Sequence, residues 1–492
     1  MTTLNRRELL AAGGMAAGAL LGAGAWPRAL GQQGAGKKRP NVLFLAIDDL
    51  NHWVGHLARN EQTRTPRIDA LAARGVTFRR AYCAAPVCNP SRAALMSGLR
   101  PHRSGVYENR NDWRRVIPMD KPMTAAFRRG GYSVLGCGKI YHGGFERREE
   151  WDDYMKGGGG GDPRSKTPGG VGGIRFARLD CRDEDLHDYQ IADWAIEQLN
   201  RKHDKPFFLA CGVHLPHMPW SVPGKWFDMF PLESIKLPPY LENDLDDVPP
   251  AGVKMAKPDG DHATMLKSGR WKEAVQAYLA AIAYTDMNVG RVIAALEASA
   301  YKDNTIICLW GDHGWHLGEK RHWRKFALWE EATRAPLVFA GPGLAKGTCE
   351  RTVDFMSIYP TLCELCGLDV PAHVQDPSIA ALLRDPAGAW DRPAMTTYTF
   401  KNHTVRSETH RYIRYANGDE ELYDEQVDPY EWKNLAGHAK LAKVKAELAT
   451  HLPKSDAADI GNDRTDKGKG KKKKGKQQAA IVDEDELLGY GG

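Results

Sequence analysis

Five short runs along the chain are apolar at nearly every position, and each stops abruptly. NVLFLAI (residues 41–47) stops at Asp48-Asp49, YSVLGCG (132–138) at Lys139, PFFLACGV (206–213) at His214, and NTIICLWG (304–311) at Asp312-His313. A fifth, APLVFAG (335–341), stops at a Pro-Gly turn. Runs of this length without alternation predict strands buried on both faces. Between them lie amphipathic patterns, PRIDALAARG (66–75) and the long stretch 271–298 among them, which predict helices. The alternation predicts an α/β fold over 40–375, a large and mostly parallel sheet flanked by helices. Near residue 376 the pattern changes. TTYTF, HTVRSE, RYIRYAN and ELYDE alternate with period two, as antiparallel strands do. They predict a smaller C-terminal α+β subdomain over 376–455, closed by a helical stretch at 436–452.

The chemistry sits in the residues just after each predicted strand. In parallel sheets ligands bind at the carboxyl ends of the strands. One aspartate after a strand is ordinarily the cap of the next helix, but four ionisable endings converging on one rim are not explained by capping. Asp48, Asp49 and Asp312 offer carboxylates to a single hard divalent cation, and His313 adds a nitrogen. Lys139, His142, His214 and His217 offer donors to an oxyanion or a leaving group. A Gly-rich insertion in 151–185 and a Pro- and Asp-rich segment in 216–265 read as rim loops that select substrate.

One further peptide, VCNPSRAALMSGLRP (87–101), joins this set. Pro90 suits the first turn of a helix that SRAALMSGL continues. Cys88 then lies at the helix N-terminus, where free amides and the dipole favour an anion. Arg92 can reach back to the same place with a planar fork of donors. The Cys-x₃-Arg spacing excludes a tyrosine-phosphatase-type loop, which needs Cys-x₅-Arg.

Composition narrows the picture. The chain has 492 residues, 42% hydrophobic and 26% charged, enough for two or three domains. Its formal charge of +6 resides largely in KGKGKKKKGK (467–476), so there is no general case for nucleic-acid binding. Residues 456–492, Lys-rich and then acidic, predict a disordered tail. Nine cysteines are too few for a disulfide scaffold. Cys363 and Cys366 form a CxxC without the second pair that a structural zinc site needs, which leaves packing or a local disulfide. At the N-terminus, Asn5-Arg6-Arg7 precedes an Ala/Gly/Leu-rich segment, and residues 1–31 read as a twin-arginine-type signal peptide. A membrane anchor is the alternative, but the segment is short and glycine-rich for one. No other stretch reads as long and apolar enough to span a membrane, so the mature chain is expected outside the cytoplasm, periplasmic or extracellular, with no span.

Cys88-Asn89-Pro90-Ser91-Arg92 followed by Ser97-Gly98 resembles the signature of the type I sulfatases. Five further segments match in order: NVLFLAIDDL, GKIYH, FFLACGVHLPHMPW, IICLWGDHGWHLGEKRHWRKF and ELYDEQVDPYEWKNLA. The resemblance covers roughly 40–436 and is nearest to iduronate-2-sulfatase-like members. It implies an alkaline-phosphatase-like sulfatase fold and hydrolysis of a sulfate ester. It implies that a formylglycine-generating enzyme oxidises Cys88 to Cα-formylglycine, and that one hydroxyl of the hydrate attacks sulfur with help from Asp312. It implies that His217 or Lys325 protonates the departing alcohol, and that His142 takes the proton of the second hydroxyl as sulfate is expelled. Asp48, Asp49, Cys88, Asp312 and His313 are then the metal site, expected to hold one Ca²⁺ per chain, with Mg²⁺ or Mn²⁺ as alternatives. Arg92, Lys139, His142, His217 and Lys325 are the sulfate-binding and proton-transfer set. His313 departs from the asparagine of many sulfatases, and imidazole is a softer ligand than an amide oxygen. The substrate implied is a sulfated glycan or a small sulfate ester. Trp53, Trp113, Trp220, Trp315 and Trp323 suit stacking on sugar rings, with ordinary packing as the alternative. Two other readings stand beside this one: a phosphodiester or phosphonate-monoester hydrolase on the same fold, and a non-catalytic polyanion-binding protein.

Overall fold

The computed structural model describes residues 39–155, 162–166 and 169–461. The N-terminal arginine pair, the core of the Gly-rich insertion and the lysine run lie outside the described residues. The main sheet has eight strands: β1 (Asn41–Ile47), β2 (Val76–Tyr82), β3 (Ser133–Gly138), β4 (Asp153–Tyr154), β5 (Phe207–Val213), β6 (Thr305–Gly311), β7 (Leu337–Ala340) and β8 (Gly347–Asp354). Their spatial order is β8-β2-β7-β6-β1-β5-β3-β4. Every neighbouring pair is parallel except the two that β7 makes with β2 and β6. That one reversal explains an oddity of the sequence. β7 is the apolar run that ends in a Pro-Gly turn, and its carboxyl end lies at the rim opposite the four ionisable endings.

Helices cover both faces. Alternate residues of β1 divide between two cores, Leu43, Leu45 and Ile47 in one and Val42, Phe44 and Ala46 in the other, because successive strand side chains point to opposite faces. The first core takes residues of α1 (Pro66–Ala73), α4 (His187–Asn200) and α5 (Trp271–Ala298). The second takes residues of α2 (Cys88–Ser97), α3 (Met123–Arg129) and α6 (Ile358–Leu365). α5 corrects one expectation. Its 28 residues are long and apolar enough to cross a membrane by length and composition. However, 72% of its apolar window is buried inside the fold, where it packs as the central helix of the first core.

The C-terminal strands β9 (Ala394–Thr397), β10 (His403–Arg406), β11 (His410–Arg414) and β12 (Glu420–Asp424) form an antiparallel sheet in that order. A helix, Ala442–Ala449, covers it through Leu448 against Val405, Tyr412 and Leu422. Residues 456–461, expected to belong to a disordered tail, are instead hydrogen-bonded to the body. Ala457 donates to His102 O at 2.7 Å, Ile460 donates to Gly105 O at 3.1 Å, and Asn111 donates to Asp459 at 3.1 Å. All nine cysteines are free thiols, and Cys363 and Cys366 are packed at the end of α6.

Candidate active site

β1 ends at Ile47, and the next two residues turn sharply. Asp49 adopts φ +56°, a left-handed conformation that aspartate tolerates better than most residues. Tyr278 of α5 holds this turn, donating to Asp49 O at 2.8 Å and accepting from Asn51 N at 3.0 Å. Asp312 follows β6, the strand beside β1, and its Oδ1 accepts the Asp49 amide at 2.9 Å. The register of these two parallel strands therefore brings Asp48, Asp49, Asp312 and His313 together at one rim.

α2 begins at Cys88, with Val87 as its N-cap, and ends at Gly98, where φ +70° suits glycine. Cys88 Sγ lies 3.0 Å from Lys325 Nζ, 3.3 Å from His313 Nε2 and 3.8 Å from Asp49 Oδ1. Burial and then Asp48 push this thiol well above its usual range, so the unmodified side chain is a poor nucleophile. Arg92, one turn on, does not form the open fork expected for an anion. It is wholly buried, with Nε on Asp312 at 2.8 Å, Nη2 on Asp48 at 3.1 Å, and Nη1 on the carbonyls of Lys139 and Ile140. Its role is to tie two carboxylates to the turn after β3. Ser91 adds a bond to Asp312 O at 2.6 Å.

Lys139 follows β3 and pairs with Asp48 through a short contact. Burial drives Asp48 upward, but Lys139 and Arg92 hold it well below the ordinary carboxylate range. Asp312 goes the other way, with burial pushing it up against the pull of Arg92. His217 Nδ1 lies 2.7 Å from Met218 O and donates to it, so Nε2 faces Asp49 Oδ2 at 3.9 Å. Burial disfavours protonation of this ring, yet Asp49 and Asp48 together outweigh it and its pKa is raised. Lys325 is fully buried, with Nζ 3.0 Å from Asp49 Oδ1. His142 is buried just beyond Lys139, beside Phe145.

Of the residues read from the sequence, Asp48, Asp49, Cys88, Arg92, Lys139, His217, Asp312, His313 and Lys325 form one continuous set of contacts. His214 lies outside it: its ring faces Asp188 at 3.1 Å rather than the carboxylates. The tryptophans read as sugar platforms are all buried, Trp53 and Trp323 at 2% exposure and Trp113, Trp220 and Trp315 at 0%. Trp220 packs edge-on against Tyr278 and Trp315, and Trp315 lies beneath the Lys325 ammonium. They back the site and leave no indole face for a sugar.

Asp188 and Tyr278 were not found by sequence reasoning. Asp188, near the start of α4, accepts from the His214 and Leu215 amides at 2.9 and 2.7 Å and so holds the turn that carries His217. In sequence it looks like any acidic residue in a first helical turn.

The donor set fits a hard divalent cation. Asp48, Asp49, Cys88 and His217 present ligand atoms within 4.8 Å of one another, and so do Cys88, Asp312 and His313. Asp49 Oδ2 is buried and has no hydrogen-bond partner among the described residues, a costly state for a carboxylate oxygen unless a cation meets it. His313 Nδ1 faces Gly314 O at 3.1 Å and donates to it, which leaves the Nε2 lone pair turned toward Cys88, Asp49 and Asp312. Burial lowers its pKa, keeping it neutral as a ligand must be.

Comparison with known proteins agrees with this geometry. The sulfatase family model matches residues 40–368, and the model for the C-terminal region of N-sulphoglucosamine sulphohydrolase matches 311–458. A sulfatase of Formosa agariphila is 41% identical over 450 residues, covering 85% of this chain and 87% of its own. Human iduronate 2-sulfatase is 29% identical over 395 residues, covering 69% of this chain and 71% of its own. A solved structure of a 2-O GAG sulfatase superposes with a TM-score of 0.67 at 25% identity, covering 84% of this chain and 91% of that one. With two-thirds of its length matched by the family model and three carboxylates, a cysteine and two lysines gathered at one strand rim, the chain belongs to the sulfatase family.

Proposed function

We propose that this sulfuric ester hydrolase cleaves a sulfate ester on a sulfated carbohydrate, with Cys88 in the formylglycine form and a divalent cation, expected to be Ca²⁺, held by Asp48, Asp49, Asp312 and His313. The observation that carries this reading is the buried contact set around Cys88, in which a thiol lies against a lysine and a histidine beside a carboxylate oxygen that has no hydrogen bond among the described residues. When bound, the cation supplies Lewis-acid charge at the sulfate oxygens, and the formylglycine hydrate supplies a hydroxyl in place of the thiol.

This chain's own residues do the rest. Lys139 is paired with Asp48 and Lys325 with Asp49, and together they set two ammonium groups against the sulfate's charge. Asp312, pushed up by burial and fixed by Arg92 and the Asp49 amide, is the acceptor for the attacking hydroxyl's proton. His217 Nδ1 donates to Met218 O, so Nε2 bears a proton only in the imidazolium form, which Asp49 and Asp48 favour, and from that form Nε2 delivers its proton to the departing alcohol. Lys325 is the alternative donor at that step, and His142 takes the proton that releases sulfate.

The likeness to iduronate 2-sulfatase and to a 2-O GAG sulfatase supports a sulfated sugar as substrate. We also propose export through the N-terminal twin-arginine segment, preceded by modification by a formylglycine-generating enzyme. A panel of an aryl sulfate, an aryl phosphodiester and sulfated uronic-acid and glucosamine sugars tests the reading. Faster turnover of a sulfate ester than of the phosphodiester is expected. The reverse order would make the chain a phosphodiesterase or phosphonate hydrolase on the same fold.

A further inference from the structure

Lys325 does not sit on a strand or at a helix start, yet its ammonium is placed against both Cys88 and Asp49. The backbone around it is costly. Arg324 has φ +78° and Phe326 has φ +69°, so two side-chain-bearing residues flanking Lys325 lie in the left-handed region. Conformations of this kind cost on the order of 1–3 kcal/mol each and persist only where neighbouring contacts impose them. Phe326 N donates to Pro86 O at 3.2 Å, two residues before Cys88. On the other side, Arg324 Nε binds Asp261 at 2.7 Å and Lys320 Nζ binds Asp244 at 2.8 Å, both in the Pro- and Asp-rich rim segment.

His322 closes this clamp. Its ring is buried at 4% exposure. Nε2 lies 2.5 Å from Lys325 O, and Nδ1 lies 2.7 Å from Ala256 O at the end of the helix Pro250–Ala256. A neutral ring donates to only one of these carbonyls, and protonation would satisfy both. Burial pushes the ring's pKa down, and the two carbonyls pull against that. In either state the ring spans the gap between the rim segment and the Lys325 peptide. We propose that His322 is a positioning residue for the sulfatase reaction: by bridging Ala256 O and Lys325 O it fixes the Lys325 ammonium against Cys88 and Asp49. This rests on the reading of the site given above, and it makes the 244–261 segment part of the catalytic frame as well as of the rim.

The test uses two replacements in the full-length chain. In His322→Gln the amide nitrogen reaches the Nε2 position and can still donate to Lys325 O, whereas in His322→Asn it reaches only the Nδ1 position. A displacement of about 1 Å at a reacting group costs on the order of 100-fold. The Asn variant is therefore expected to lose roughly 10- to 100-fold in kcat, with the Gln variant retaining most of it. Introduced into Lys325→Met, neither replacement should lower kcat further. An equal loss with and without Lys325, or equal kcat in the Asn variant and wild type, would overturn the assignment. If the Asn variant is not recovered folded, His322→Ala, which lacks both bonds, replaces it in the two backgrounds and is judged by the same criterion. A crystal structure of the variant reads position independently of turnover. Nζ displaced from Cys88 and Asp49 is expected, and an unmoved Nζ would overturn the assignment even if sulfatase activity is absent. A displaced Nζ in a protein inactive on every sulfate ester would retain the positioning role and discard the proposed reaction.

Discussion

The chain buries two clusters of charge, and they are built differently. Around Cys88, Asp48, Asp49 and Asp312 meet Arg92, Lys139 and Lys325. Between the main sheet and the C-terminal sheet, Glu330, Glu425 and Glu431 meet Arg406 and Arg411. In the second cluster the cations are arginines whose planar forks each serve two or three carboxylates. Arg411 alone binds Glu330, Glu425 at 3.3 Å and Glu431 at 2.5 Å, and its Nη1 adds Leu328 O at 3.1 Å. In the first cluster two of three cations are lysines, which act as point charges. Each cluster has a buried carboxylate oxygen without a hydrogen bond among the described residues, but Glu431 Oε1 lies 2.5 Å from Arg411 Nε, whereas Asp49 Oδ2 faces His217 Nε2 at 3.9 Å, and a thiol lies among the charges. His217 at its edge remains 14% exposed, while no side chain named in the second cluster exceeds 5%. One cluster closes on itself and joins two sheets, whereas the other gathers point-charge cations around a thiol and keeps an exposed edge at His217.

That contrast predicts which cluster fails in which way. The largest effect is expected at Cys88. Cys88→Ala should lower kcat by about 10⁴-fold or more, since removal of a nucleophile leaves only binding and electrostatics, while thermal unfolding shifts by only a few degrees. Asp49→Asn should come next. It removes a charged ligand and should weaken divalent-cation binding by about 100-fold or more, read as metal content and as a calorimetric Kd. Arg411→Leu should do the opposite. Uncoupling one side of a buried ionic network costs about 3–5 kcal/mol, so the melting temperature should fall steeply while the folded fraction retains its kcat and metal. Equal metal loss in the Arg411 and Asp49 variants would erase the distinction between the clusters.

The smallest effect is a pH dependence confined to a structural pair near the second cluster. Burial pushes Glu331 up, but Arg59 and His52 outweigh it and hold it well below its ordinary value of 4.5. A carboxylate depressed in the folded state stabilises the fold above its unfolded pKa and loses that contribution as pH falls. Glu331→Gln should therefore destabilise the protein at neutral pH and flatten the stability loss that wild type shows below about pH 4.5. An unchanged acid limb in the variant would contradict the pairing.

Much of the site was readable because four parallel strands each spell out their own ending. An apolar run followed by Asp48-Asp49, Lys139, His214 or Asp312-His313 gives both element and position, and the sheet converts sequence order into proximity. Lys325 was reachable only through family resemblance, since the strand before it, Trp323–Arg324, is two residues long, too short to show as an apolar run, and left-handed residues stand on both sides of Lys325. The direction of Arg92 was misread for a related reason. Its helix start is visible in the sequence, but the two carboxylates that claim its fork lie 44 and 220 residues away. The tryptophans misled because composition reports how many indoles there are and not which way they face. Trp315 and Trp220 turn inward beneath the site. The tail boundary was set by polarity, yet Ala457 and Ile460 find backbone partners after Pro101 that no local pattern announces.

The central claim is that the working group at residue 88 is an oxygen on an aldehyde carbon and not a thiol. Its most direct test is the mass of the Cys88 peptide from protein produced with a formylglycine-generating enzyme, set against the turnover of the same preparation on a sulfate ester. The aldehyde mass is expected, with kcat rising in proportion to the converted fraction. Full activity with an unmodified thiol at residue 88 would contradict it.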